Sequence, residues 1–218
     1  IKPVAQHDEE TLAALALPAL KDVYADKFDV GCAVNGWDAV NAHKMDIYAS
    51  QFNIFPHEND LKPDSVLDVT ASRKQVKDTG DQTAVAINIA KASSLLDYCQ
   101  KNGIKLHGHV LVWHNQTPEG FFHEDYNPAK PYLSREVMLG RLENYIKTVL
   151  TTTQTEYPGV VVSWDVVNEA VADGSASLRQ SNWTKVVGED FVNQAFKFAR
   201  QYAAEGVQLY YNDYSTPY

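Results

Sequence analysis

Cysteine is scarce in these 218 residues: Cys32 and Cys99 are the only two, and both fall inside apolar, regular-looking segments. Two thiols do not make a disulfide framework, so buried free thiols are expected in preference to a bridge. Long hydrophobic runs are missing as well. Nothing approaches the roughly 18 apolar residues of a membrane-crossing helix, so no membrane partner is expected. Basic excess is absent: 19 Lys and Arg stand against 28 Asp and Glu, a formal net charge of −9. Without a basic stripe to release counterions from phosphate, a nucleic-acid partner is not expected either. No Gly-x-Gly-x-x-Gly follows the first apolar run, which counts against a nucleotide-binding sheet. The opening Ile1-Lys2-Pro3 does not look like a secretory signal, so any such signal is expected to have been removed or never present.

What is present is a globular composition, 44% hydrophobic and 22% charged, without low-complexity blocks or internal repeats. The length suits one sizeable core and is short for two ordinary domains. Twelve tyrosines and four tryptophans supply rings that suit stacking on flat apolar faces, sugar rings included, although burial in a core is their commoner use.

Hydrophobic patterning predicts an alternation of helix and strand. Residues 11–24 read as an amphipathic helix interrupted at Pro18, and 28–34 as a buried strand ended by Asn35-Gly36. A helix over 37–48 and a short strand over 52–56 follow. Residues 61–83 have weak periodicity and two turn signals. They lack linker composition and read as a functional loop. A helix over 84–102 stops at Gly103, a strand runs over 104–112, and Ser134 is a plausible N-cap for the next helix. Strands over 160–167 and 207–211 flank a helix over 189–205.

Five strands alternating with helices imply a parallel sheet. Their C-terminal ends carry Asn35, Glu58-Asn59, Trp113-His114, Asn168-Glu169 and Asn212-Asp213. In a (β/α)₈ TIM barrel such ends converge on one face, where active sites are built. In an open doubly wound sheet only those near a switch point meet. The α/β barrel is the preferred fold class, with about five of its eight β/α units in this sequence. The most pointed of these ends is Trp164-Asp165-Val166-Val167-Asn168-Glu169, where an apolar β-branched run meets an amide and a carboxylate. A carboxylate on so rigid a mount suits a general acid; a solvated strand-end glutamate is the plain alternative. His107 and His109 share one strand face while His114 faces the other, and no carboxylate completes a clear metal set, so no metal site is expected.

Four motifs, in order and spacing, resemble glycoside hydrolase family 10. They are Phe52-Asn53-Ile54-Phe55-Pro56-His57-Glu58-Asn59-Asp60-Leu61-Lys62, Gly108-His109-Val110-Leu111-Val112-Trp113-His114-Asn115-Gln116, Trp164-Asp165-Val166-Val167-Asn168-Glu169-Ala170, and Tyr210-Tyr211-Asn212-Asp213-Tyr214. The resemblance spans essentially the whole chain, so residues 1–218 are expected to be the N-terminal part of that family's catalytic domain. It implies a retaining endo-β-1,4-xylanase that needs no cofactor, acts on xylan and xylo-oligosaccharides, and is secreted. Glu169 matches the family's general acid/base, and Asn168 the amide that binds the 2-hydroxyl of the attacked sugar. Glu58, Asn59 and Lys62 match residues that bind sugars on the non-reducing side. His109 and Trp113 match the lining of the reacting subsite, and Asp213 a less defined strand-end position. A glycosidic oxygen leaves readily only when protonated, so a carboxylic acid at Glu169 makes chemical sense, and hydrogen bonds from Asn168 can strengthen as the sugar becomes oxocarbenium-like.

One departure stands out. A retaining mechanism needs a second carboxylate about 5–5.5 Å from the first. In this family it lies in a Thr-Glu-Leu-Asp type motif on the seventh strand, and no such motif occurs here. Barrels of this type take about 250 residues. A cleaved polypeptide of two associating parts or an engineered fragment is therefore expected, in preference to a pseudoenzyme half. A complementary C-terminal segment would bring the nucleophile, and this chain alone is expected to be inactive. A xylo-oligosaccharide-binding protein without chemistry, or a retaining β-glycanase of another substrate such as cellulose, are the competing readings.

Overall fold

The computed structural model describes residues 5–214 and arranges them around a parallel sheet of four strands. Ile1-Lys2-Pro3, on which the leader expectation rests, lie outside the described residues. Along the chain come helices α1 (Glu9–Leu15), α2 (Leu20–Val23), α3 (Gly36–Ala39) and α4 (Ala42–Gln51), then strand β1 (Ile54–Pro56). Helices α5 (Pro63–Val66), α6 (Val69–Thr79) and α7 (Ser93–Asn102) lead to β2 (Lys105–Trp113). Two short 3₁₀ turns, Glu119–Phe122 and Glu124–Tyr126, precede α8 (Arg135–Glu156) and β3 (Val161–Asn168). Helices α9 (Asn182–Val186) and α10 (Phe191–Tyr202) then carry the chain to β4 (Gln208–Asn212).

The strands pair in chain order, all parallel. Parallel neighbours cannot be joined by a tight hairpin, so each join is a helical crossover that covers the sheet. Strand β3 is buried at every position but Val162, as a strand covered on both faces can be. Helix α8 starts where Ser134 accepts from the Val137 N–H, and it turns Met138, Leu142, Tyr145, Val149 and Thr153 inward. Arg135 at its start grips Asp190, just before α10, through two bonds of 2.8 Å, and holds that carboxyl well below the usual carboxylate range.

Several elements differ from expectation. Residues 28–34 are not a fifth strand. They meet β1 at one isolated parallel bridge, Gly31 to Ile54, and the residue just after it at another, Val34 to His57, and beside a three-residue β1 no continuous ladder forms. The 61–83 stretch is no loop but holds α5 and α6. Pro63 opens α5, Asp68 caps α6 by accepting from the Ala71 N–H at 2.8 Å, and α6 buries only Ser72 and Val76, which explains its faint periodicity. The helix expected over 84–102 begins only at Ser93. Before it, the backbone runs beside residues 66–68, with Asn88 donating to the Val66 carbonyl at 2.8 Å. The helix over 37–48 is two, with Asn41 capping the second. Helix α9, opened by a Ser181–Thr184 capping box, has no counterpart in the sequence reading. Cys32 is half-buried and Cys99 buried, both free, and burial pushes their thiols up to about 11 and about 12.

One glycine is dictated by close approach. A Cβ on Gly108 of β2 would sit 2.2 Å from Cδ2 of the buried Trp164 ring on β3. Gly108→Ala is therefore expected to destabilise the fold by about 3 kcal/mol, the upper end for overpacking, read as a lower urea midpoint.

Candidate active site

The C-terminal ends of the strands place side chains in one connected line. From the β1 end, Asn35 donates to Glu58 Oε2 at 2.7 Å and accepts from Asn59 Nδ2 at 3.4 Å. Lys62 follows, nearly fully buried, donating at 2.9 Å both to Asn59 Oδ1 and to Gln116 Oε1. Its ammonium also lies 5.0 Å from the centre of the Trp113 ring, a cation–π contact that links this group to β2. Trp113 donates its indole N–H to Glu169 Oε2 at 3.0 Å, and Asn168 reaches the other oxygen at 3.4 Å. Asn212, paired in register with Asn168, donates to Asn168 Oδ1 at 2.9 Å and so turns its NH₂ group away from β4.

Trp113 is itself held from behind. Its carbonyl accepts from Thr117 at 2.8 Å and from the Trp183 indole at 2.9 Å. Trp183 is buried among Phe121, Phe122 and Phe191, so α9 supports the site from outside the sheet.

Beside this line lies a cleft of about 460 Å³, the size of a small-ligand site, lined among others by Glu58, Lys62, His109, Asp165 and Asn212. His109 Nδ1 and His107 Nε2 both hydrogen-bond Asp165 Oδ2, at 2.8 and 3.0 Å, while His107 Nδ1 pairs with Ser163 Oγ at 2.7 Å. Burial would push the Asp165 carboxyl up, but the two histidine bonds outweigh it and the net direction is down. The carboxylate unseen in the sequence is thus Asp165, brought from the neighbouring strand. The imidazoles spend their N–H groups on its oxygen instead of converging lone pairs on an ion. Among the described residues no group of three or more His, Cys, Asp or Glu is arranged to hold a metal.

Glu169 is half-buried and adopts a left-handed backbone, φ 53°. Glu58, Asn59, Lys62, Trp113, Asn168 and Glu169 therefore form one polar line, and His109 shares the cleft with Glu58 and Lys62. Asp213 stands apart: its carboxylate accepts from the Tyr211 hydroxyl and, at 2.9 Å, from the Tyr214 N–H, and it does not line the cleft. Sequence reasoning left Asn35, Gln116, Asp165 and Asn212 without site roles. Asn35 and Asn212 carried the available signal, polar residues at strand ends, whereas Asp165 lay hidden inside an apolar strand.

Comparison with known proteins bears on what this line does. The family model described as glycosyl hydrolase family 10 matches residues 19–218. Endo-1,4-beta-xylanase B of Butyrivibrio fibrisolvens is 45% identical over 197 residues, covering 90% of this chain and 30% of that protein. The Clostridium thermocellum N-terminal endo-1,4-beta-D-xylanase 10B, solved with xylohexaose, superposes with a TM-score of 0.81 at 34% identity, over 89% of this chain and 39% of that one. The xylanase TsXylA of Thermoanaerobacterium saccharolyticum, described as intracellular, gives 0.77 at 33%, over 92% and 57%. This chain thus spans about a third to somewhat over half the length of these relatives, and the α/β sheet matches part of their barrel. No helix among the described residues is long and apolar enough to cross a membrane.

Proposed function

We propose, for a chain that belongs to glycosyl hydrolase family 10, that residues 1–218 form the N-terminal part of an endo-1,4-β-xylanase domain in which Glu169 is the proton donor. The observation that carries this reading is the 3.0 Å bond from the Trp113 indole to Glu169 Oε2 at the ends of two paired strands. It aims one carboxyl from a rigid mount, next to a cleft supplied with hydroxyl-binding groups. Lys62, Asn59 and Glu58 offer both donors and acceptors to a sugar. Asn168 presents an amide beside the carboxyl, suited to a 2-hydroxyl whose hydrogen bond strengthens toward the oxocarbenium ion. His109, its Nδ1 spent on Asp165, keeps Nε2 for substrate. A xylose polymer is the substrate class favoured by the xylohexaose complex of the Clostridium relative. An extracellular setting fits a polymer, although the Thermoanaerobacterium relative is described as intracellular.

The nucleophile, on this reading, comes from a further segment that packs against β4. Both cleft carboxylates are already engaged: Glu58 by Asn35 and Asp165 by two histidines. Strand β4 is meanwhile the outer strand, with Tyr210 49% and Tyr211 41% exposed. A polypeptide of these 218 residues is expected to release no reducing sugar from xylan, and to do so once mixed with the complementary barrel segment. Hydrolysis by the verified 218-residue chain alone would sink the two-part reading. Tight xylo-oligosaccharide binding without hydrolysis by the mixture would favour a binding protein.

A further inference from the structure

We propose that Arg179, Tyr211 and Asp213 form a clamp that holds the left-handed backbone at Glu169 and thereby aims its carboxyl; they are positioning residues for proton donation. The inference rests on the reading of Glu169 as the proton donor.

The left-handed conformation is unfavourable for a residue such as glutamate and persists only where its surroundings over-determine it. Here they do so group by group. The Glu169 N–H donates to the Asn212 carbonyl at 2.9 Å. The N–H groups of Ala170 and Val171 both donate to the Tyr211 hydroxyl, at 3.1 and 3.3 Å. The carbonyls of Glu169 and Val171 accept from the Arg179 guanidinium at 3.2 Å each, and the Ala170 carbonyl accepts from the Arg179 N–H at 2.7 Å. All six polar groups of three successive residues are thus held, five of them by two side chains and one backbone N–H.

The proton count assigns Asp213 its part. A phenol oxygen accepting two N–H groups has used both lone pairs, so its own proton must be donated. Asp213 Oδ2 receives it. Burial, then the bond to Asp213, push the Tyr211 hydroxyl up to about 12, so it stays a protonated, double acceptor. Arg179 is fixed in turn by Asp173, at 3.0 and 3.4 Å. Strand-end Asp213, which is not among the residues lining the cleft of about 460 Å³, acquires a role that reaches the acid through Tyr211.

A purely structural loop staple would lower stability and affect all substrates alike. A clamp that aims the acid makes a narrower demand, because only a poor leaving group needs its proton. The test compares kcat/KM for a xylo-oligosaccharide with that for a dinitrophenyl xylobioside, whose leaving group departs unprotonated. Tyr211→Phe, Arg179→Ala and Glu169→Ala are made in the full-length protein. Tyr211→Phe is expected to lower the oligosaccharide value about 10²-fold, as a misplaced acid would, with KM and the aryl value little changed. Arg179→Ala should behave alike and recover in part with added guanidinium. Equal losses on both substrates, or no loss on either, would overturn the clamp while leaving Glu169 as the donor. If Glu169→Ala itself shows no leaving-group dependence, the assignment of the donor fails and the clamp with it.

Discussion

Glu169→Gln in the full-length protein is expected to lower kcat on xylan by roughly 10²–10⁴-fold, the usual worth of a positioned general acid. The amide keeps the size of the side chain and an oxygen to accept from Trp113, so the geometry at the end of β3 is preserved. What it cannot do is give up a proton as the bond from the anomeric carbon to the glycosidic oxygen breaks, and a sugar alkoxide is a poor leaving group. Affinity for xylo-oligosaccharide should hardly move, since Glu58, Asn59 and Lys62, proposed above to bind the sugar, lie on other segments. Initial rates from reducing-sugar release, paired with calorimetric binding, separate the two quantities. A variant retaining a tenth or more of the wild-type rate on xylan would refute the assignment.

The second large effect concerns stability. Arg141 on α8 is completely buried, yet among the described residues no carboxylate hydrogen-bonds it. Its donors go instead to the carbonyls of Gln82, Phe121 and His123 at 2.7, 2.8 and 2.9 Å and to Gln82 Oε1 at 3.3 Å, and its guanidinium lies 4.0 Å over the Tyr126 ring. Burial pulls its pKa down, while Tyr126, Asp125 and Asp81 pull it back up. Replacing a complete buried ion pair by apolar residues can be neutral because both charges leave together. Here only the donor would leave, and two buried carbonyls, of Phe121 and His123, and the part-buried one of Gln82 would stay behind, the buried ones at about 1–3 kcal/mol each. Arg141→Met is therefore expected to cost about 4–5 kcal/mol, at the severe end for a single substitution. Urea unfolding measures it, and a loss below about 1 kcal/mol would show that water satisfies those carbonyls. Because the same bonds hold the turns that carry Phe121 and Phe122 against Trp183, the surviving folded protein should also lose rigidity at Trp113.

The alternation of strand and helix was legible because β2 and β3 are apolar runs whose ends change abruptly to polar residues. Glu169, Asn168 and Trp113 could be singled out for the same reason, from Trp164-Asp165-Val166-Val167-Asn168-Glu169 and its companion motifs. Helix α6 was not legible, since a helix that buries only a serine and a valine leaves little periodicity. The bridged segment at 28–34 looks like a strand by composition, but beside a three-residue β1 it forms no continuous ladder. Asp165 escaped because an acid within a buried strand gives no sign of the two histidines beside it, of which His109 lies 56 residues away on the next strand. The backbone conformation at Glu169 escaped for another reason: it is set by Arg179 and Tyr211, on separate elements, and no local preference of glutamate announces it.

Because the strands pair in the order in which they are made, a ribosome can build this sheet by simple addition. Each finished strand joins an edge that already exists, and none has to be threaded between two earlier ones. At about 5–20 residues per second, the wait between β3 and β4 is several seconds, long enough for α8 to settle on the growing sheet. Each new strand then becomes an unpaired edge in its turn, the last of the four being β4 with its exposed tyrosines, open to whichever strand arrives next. The feature that lets the nascent chain fold as it emerges is thus also the point where a chaperone, or a second nascent chain, has most to hold.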